Sequence, residues 1–475
     1  ASVALCVCGL AQAPAGRADD DSLRYARLAP GSERPSRIGE LPQALSVEDA
    51  GRYRMIFELQ RDGRWREADP VIARLRDRLL LGHVLAQRYL HRAYKASYPE
   101  LASWLESYAD LPVAVNVHRL AVARHTPGQK LPITPVEGFL GGYGQELGTR
   151  ESTALARRLM SNGLEAWRRR DYARAAEAFA LLAGNEDADG EDVATGAFWA
   201  ARAHLLAGRP QLVPRFLRIA ARASDEFYGL LAQTLLGQSI RFDWHERSLR
   251  GDELQVLLVD PASRRAIALA QIGQEALAES EIRKLAARSR PELVHALAAL
   301  AEAMRLPAAQ MRVAQRLRVI DGRRHDAALY PLPPWEPADG FKVDRSLVYA
   351  IIRAESAFDI DARSPANARG LMQVLPETAT LVARGQRIAY KGDASLYEPE
   401  LNLRMGQGWL LRLARTKTVG RSLIHLVTAY NGGETRLKGW LGRELRGMKD
   451  DPLLFIETIP LTETRNYVKK VLANL

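Results

Sequence analysis

A lone carboxylate at the end of an apolar helix, with a polar, glycine-punctuated loop behind it, is how a glycosidase would hold a proton donor against a sugar. The run from Glu355-Ser356-Ala357-Phe358 through Ser364-Pro365 to Gly370-Leu371-Met372-Gln373 has this form. Asp344 is a good N-cap for a helix expected from Arg345 to Ala357. Leu347, Ile351 and Glu355 fall at i, i+4 and i+8, so the carboxylate shares the apolar face. Partial desolvation there disfavours the charged form and raises the pKa, which is what a general acid needs near neutral pH. Taken alone, a Glu at this position is more often an exposed helix-end residue or one paired with a neighbour such as Arg353 or Arg363.

The residues that follow supply context. Gly370 permits a positive φ or a close approach by ligand, and Gln373 offers both a donor and an acceptor to a sugar amide. Pro376 suits the first turn of a helix that stops at Gly385. Of Met372 and Leu375, at least one is expected in the core. Further on, Leu423, Val427 and Tyr430 align on a helix running into Asn431-Gly432-Gly433. Tyr430 there is either a core aromatic or a ring that stacks on a sugar with its hydroxyl free to bond. After Pro460, Glu463 begins a helix on the same face as Tyr467 and Val471, where the macrodipole alone explains an acid in the first turn.

Four segments, Glu355-Ser356, Gly370 to Gln373, Ala429-Tyr430-Asn431 and Glu457 to Tyr467, together resemble in order and spacing the catalytic domain of soluble lytic transglycosylases. These are lysozyme-like enzymes that cut bacterial peptidoglycan. The resemblance covers residues 341–475 and implies a lysozyme-like α fold with Glu355 as the only catalytic carboxylate. It also implies that Ser364, Gln373, Tyr430 and Glu463 line a glycan groove, with Gly370, Met372 and Asn431 of the same motifs completing the substrate-binding set. Asn431 is followed by Gly432 where many relatives carry Ala, and Leu375 stands where some carry Met. The implied reaction cleaves the bond between N-acetylmuramic acid and N-acetylglucosamine and closes a 1,6-anhydro ring. Two other readings stay open: a goose-type hydrolytic lysozyme using Asp359 or Asp361 as base, and a scaffold whose last domain binds glycan without cutting it. Neither a metal nor an organic cofactor is expected, since the nine histidines make no zinc-type spacing and no acidic loop fits an EF-hand.

The elements that carry these residues sit at the end of a long helical chain. At 475 residues there is room for two to four domains, on a prior of about 100–200 residues each. Residues 1–15 are apolar and small-residue rich, hold both cysteines (Cys6 and Cys8), and read as the h-region and cleavage site of an export signal, which implies a periplasmic protein. Residues 16–45 read as a flexible leader. From 46 to 328 apolar residues recur at helical spacing, and Gly163 to Phe179 resembles a tetratricopeptide helix pair, with weaker echoes at 196–208 and 267–286. Paired amphipathic helices stack into a solenoid because none can bury its face alone. This one is expected either to feed glycan strands or to dock cell-wall synthesis or secretion machinery. Residues 329–340, with four prolines, form an extended linker, and 341–475 the catalytic domain. The expected class is therefore all-α, an N-terminal α-helical superhelix followed by a mainly α, lysozyme-like domain. A net charge of +11 comes mostly from Arg mixed with acids on helical stretches, a solvated pattern without nucleic-acid motifs. It still suits an anionic polymer such as peptidoglycan. No stretch beyond the leader is long and apolar enough for an integral membrane span.

Overall fold

The computed structural model describes residues 41, 43–141, 152–244, 249–448 and 450–475. The expected export signal, residues 1–15, and nearly all of the expected leader, residues 16–45, lie outside the described residues. Among the described residues there are 23 α-helices and no strands, only isolated bridges. The chain is all-α, as its helical periodicity predicts.

In chain order the helices begin with α1 (Val47–Arg61), α2 (Trp65–Ala73), α3 (Leu81–Leu90), α4 (Tyr98–Tyr108) and α5 (Ala114–Arg124). A second group holds α6 (Ala154–Arg168), α7 (Tyr172–Ala183), α8 (Gly190–Leu206), α9 (Val213–Ala220) and α10 (Phe227–Leu235). Then come α11 (Gly251–Val259), α12 (Pro261–Gln271), α13 (Glu275–Arg288), α14 (Pro291–Ala303), α15 (Pro307–Asp321) and the short α16 (Asp326–Leu329). The proline run that follows has no helix. The last group is α17 (Arg345–Glu355), α18 (Pro376–Gln386), α19 (Pro399–Ala414), α20 (Leu423–Gly432), α21 (Glu434–Gly442), α22 (Pro452–Thr458) and α23 (Thr462–Asn474).

These helices form two compact units, neither continuous in sequence. One contains α1–α5 with α11–α16, the other α6–α10 with α17–α23. In the first unit Leu101, Trp104 and Leu105 of α4 are buried among Ala114, Val117 and Ala121 of α5. It also buries charge. The Glu281 carboxylate accepts from His83 Nε2 at 2.8 Å and from Arg265 Nε and Nη2 at 2.8 and 3.1 Å. Burial alone would raise the pKa of Glu281, but the bonds and charges of His83 and Arg265 hold it below its ordinary value.

In the second unit the helix pair α6–α7 closes where Gly163 meets the Phe179 ring. A Cβ on that glycine would lie 2.3 Å from the ring, so only glycine allows the approach. Trp167, Phe179, Phe198, Trp199 and Tyr228 build one buried cluster from α6, α7, α8 and α10. Leu453 of α22 belongs to the same cluster. The last helices therefore share a core with α6–α10 through Leu453, and α17 and α20 both pack on α23.

Candidate active site

Asp344 caps α17, its Oδ1 accepting from the backbone N–H groups of Ser346 at 2.9 Å and Leu347 at 3.3 Å. Leu347 and Ile351 are buried, so the apolar face runs straight down to Glu355. The helix stops at Glu355 rather than at Ala357 as expected. Ala357 and Phe358 turn left-handed, with φ of 51° and 66°. Such conformations cost of order 1–3 kcal/mol each. Burial of the Phe358 ring, only 2% exposed, offsets that by about 1.5–3 kcal/mol. Ending the helix here leaves Glu355 at its tip, facing the next elements.

The loop from Ala362 to Val374 is tied by its own polar groups. Ser364 Oγ accepts the Ala368 N–H at 3.0 Å, and Gly370 N–H donates to the Ala362 carbonyl at 2.9 Å. Gly370 has φ 70°, and a Cβ there would lie 2.4 Å from the Leu396 carbonyl and 2.5 Å from Asn402 Nδ2. The close approach that demands glycine is thus made by the protein itself. Gln373 is left-handed (φ 46°), held by Nε2 bonds to the carbonyls of Ala362 at 3.1 Å and Gly370 at 2.9 Å. Its amide N–H groups hold the loop. Met372 is 0% exposed and its side chain lies in the core, whereas Leu375 is 38% exposed. What Met372 presents to the site is its backbone: the carbonyl accepts from Tyr430 Oη at 2.8 Å.

That bond fastens α20 to the loop. Next in sequence, Asn431 Oδ1 accepts from Thr464 Oγ1 at 2.7 Å and fastens α20 to α23. Glu463 is exposed in the first turn of α23, and Tyr467, one turn on, is buried. The structure thus gathers Glu355, Tyr430, Glu463 and Tyr467 from α17, α20 and α23, while Ser364, Gly370 and Gln373 shape the loop.

Glu355 retains some accessible surface, yet packed atoms enclose its carboxyl, and it is this enclosure that sets its proton affinity. Burial pushes its pKa from the ordinary 4.5 up to about 8. The Tyr467 hydroxyl pulls it down, and the Glu463 charge raises it. That hydroxyl faces the carboxyl short of full hydrogen-bond geometry and has no other partner. Burial and then Glu355 also raise the Tyr430 and Tyr467 phenols, so both stay neutral donors. No ion pair among the described residues includes Glu355: Arg353 bonds to Asn474 and Arg363 Nε to Asn367 Oδ1 at 3.1 Å. A carboxyl of this kind keeps its proton at neutral pH and can give it to a bound oxygen. Among the described residues no group of three or more His, Cys, Asp or Glu is placed to hold a metal ion.

Asn402 is a supporting residue that sequence reasoning missed. Fully buried in α19, its Oδ1 accepts from Met372 N–H at 2.8 Å. Its Nδ2 donates to the Arg369 carbonyl at 2.8 Å and the Leu396 carbonyl at 2.7 Å. The one available signal is an amide at i with apolar Leu403 and Met405 close behind it on the helix. Asn402→Ala strands three buried backbone groups, each worth about 1–3 kcal/mol. Urea denaturation of this variant should show about 3 kcal/mol or more of lost stability, the bulk of it from the loop.

Residues 335–451 match the family model described as Transglycosylase SLT domain. A 135-residue stretch is 39% identical to the soluble lytic murein transglycosylase of Salmonella typhimurium, covering 28% of this chain and 20% of that protein. The chain thus spans about a fifth of the length of that relative. The 70-kDa soluble lytic transglycosylase of Escherichia coli superposes with a TM-score of 0.55 at 18% identity, over 91% of this chain and 70% of that one. An inactive glutamate-to-glutamine mutant of the Pseudomonas aeruginosa lytic transglycosylase superposes with a TM-score of 0.56 at 23% identity, over 83% of this chain and 62% of that one. These likenesses show a shared fold, helix pairs followed by a lysozyme-like domain. Glu355, Gln373 and Tyr430 all lie inside residues 335–451, the span that is similar to the transglycosylase SLT domain family.

Proposed function

We propose that the chain is a peptidoglycan lytic transglycosylase with Glu355 acting first as acid and then as base. The observation that carries this reading is the enclosed, unpaired Glu355 carboxyl, protonated up to about pH 8, inside an SLT domain. Glu355 protonates the oxygen linking N-acetylmuramic acid to N-acetylglucosamine, and positive charge builds at the muramoyl anomeric carbon. Among the described residues no second carboxylate is placed as a nucleophile beside Glu355. Glu463 is the one carboxylate acting on Glu355. Asp359 is engaged in the turn after α17, its Oδ1 accepting the Asp361 N–H at 3.0 Å. The substrate's own N-acetyl group then stabilises the cation, an exception to the two-carboxylate scheme. Ionised Glu355 takes the proton of the muramoyl C6 hydroxyl as that oxygen closes on the anomeric carbon. An oriented intramolecular hydroxyl has an effective molarity of about 10⁵–10⁸ M, which outcompetes water.

Ser364, Gly370, Met372, Gln373, Tyr430, Asn431 and Glu463 are the proposed groove residues. For Gly370, Met372 and Gln373 the contribution is a fixed loop backbone rather than a free side chain. Peptidoglycan lies outside the cytoplasmic membrane, so the same proposal makes residues 1–15 an export signal and the protein periplasmic. No helix among the described residues is long and apolar enough to cross a membrane. Mass spectrometry of muropeptides released from purified sacculi tests the reaction. Products lighter by one water than hydrolytic ones are expected. Hydrolytic masses would make this a lysozyme, and no release would make it a glycan-binding scaffold.

A further inference from the structure

We propose that Tyr228, Glu191, Glu457 and Lys469 form a buried clamp through which the repeat helices α8 and α10 position α23, and with it Tyr467, against Glu355. The inference rests on the reading of Glu355 as the acid, and adds to it a set of positioning residues outside the site. Lys469 stands two residues beyond Tyr467 on α23, so the two side chains leave opposite faces of the helix. Tyr467 faces Glu355, and Lys469 turns toward the repeats. Its Nζ lies 2.8 Å from Glu191 Oε1 of α8 and 3.8 Å from Glu457 Oε1 of α22. Tyr228 of α10 donates its hydroxyl to Glu457 Oε1 at 2.8 Å and accepts the Trp199 indole N–H at 3.0 Å. Arg465 of α23 adds a bond to the Glu457 carbonyl at 3.1 Å.

Tyr228, Glu457 and Lys469 are all buried. A buried charge is tolerated only where its partners are in register, so sliding or rotating α23 would strand Lys469 or Glu457. An apolar contact would permit such a shift. A second tie reinforces the first: Arg202 of α8 binds Asp451 with both oxygens at 3.0 Å while stacked over the Trp167 and Trp199 rings. The repeats therefore hold one face of the helix whose other face completes the site.

The test follows the Glu355 carboxyl by ¹³C-glutamate NMR in the full chain, assigned by difference from Glu355→Gln, together with kcat and KM on sacculi. The variants are Tyr228→Phe, Lys469→Met and a control, Phe179→Leu, which loosens the same apolar cluster but removes no hydrogen bond or ion pair of the four clamp residues. Tyr228→Phe and Lys469→Met are expected to move the Glu355 midpoint by about half a pH unit or more. Both should lower kcat about tenfold or more with little change in KM, since small misplacements of this kind are costly. Phe179→Leu should lose stability with the midpoint unmoved. An unmoved midpoint in folded Tyr228→Phe, or an equal shift in Phe179→Leu, would overturn the clamp. If no variant, wild type included, releases product, the reaction assignment has failed, while the midpoints still decide the positioning.

Discussion

Turnover of murein sacculi is expected to fall by about 10³-fold or more in Glu355→Gln, with the fold intact. General acid–base assistance alone contributes about 10²–10⁴-fold. Here one group serves both halves of the reaction, so its loss removes acid and base together. Gln preserves the shape of the side chain and can donate a weak hydrogen bond, but it has no proton to transfer. Glu463 cannot stand in, because it lies exposed at the start of α23, a full turn from Tyr467. Rates of muropeptide release, with far-UV circular dichroism as the check on folding, measure the effect. A variant retaining a tenth of wild-type turnover would remove Glu355 from the chemistry.

The second large effect is on pH dependence. A carboxyl whose folded pKa lies above its unfolded one binds its proton more tightly in the folded state. Below about pH 4.5 both states of Glu355 are protonated and it costs nothing. Between about 4.5 and 8, unfolding releases the proton, so the stability of the wild type falls relative to a variant without the carboxyl. The slope approaches roughly 1.4 kcal/mol per pH unit at most. Glu355→Gln is therefore expected to match the wild type at pH 4 and to exceed it by a few kcal/mol at pH 8, measured by urea denaturation at each pH. The same midpoint governs catalysis. Activity that needs the protonated acid persists below about pH 8 and is lost above it. A stability gain that did not grow with pH would mean that the carboxyl is solvated.

Much of this was legible in the sequence for a local reason. The spacing of Leu347, Ile351 and Glu355 needs only helix geometry to put the acid on the buried face, and the all-α class follows from periodicity. The end of α17 was two residues off because left-handed Ala357 and Phe358 depend on where the Phe358 ring is buried, a tertiary matter. The type of residue at Gln373 suggests a donor and acceptor for sugar amides, while its Nε2 bonds to the carbonyls of Ala362 and Gly370 are ones a sequence does not print. The α18 helix passes Gly385 and ends at Gln386, where Arg387 takes the left-handed cap instead. Tyr228 and Glu457 meet across 229 positions of sequence, and Asn402 meets Met372 across 30. Pairings at such range leave no periodic trace. For the same reason the grouping of α6–α10 with the last helices could not be drawn from a boundary at the proline run.

The proton affinity of the Glu355 carboxyl is the quantity on which everything else turns. Its titration in the wild-type chain, followed by carboxyl ¹³C shift, measures it directly. A midpoint near 8, several units above that of a solvated glutamate, is the predicted result. A midpoint near 4.5 would contradict it, since the group would then be ionised at neutral pH with no proton to deliver.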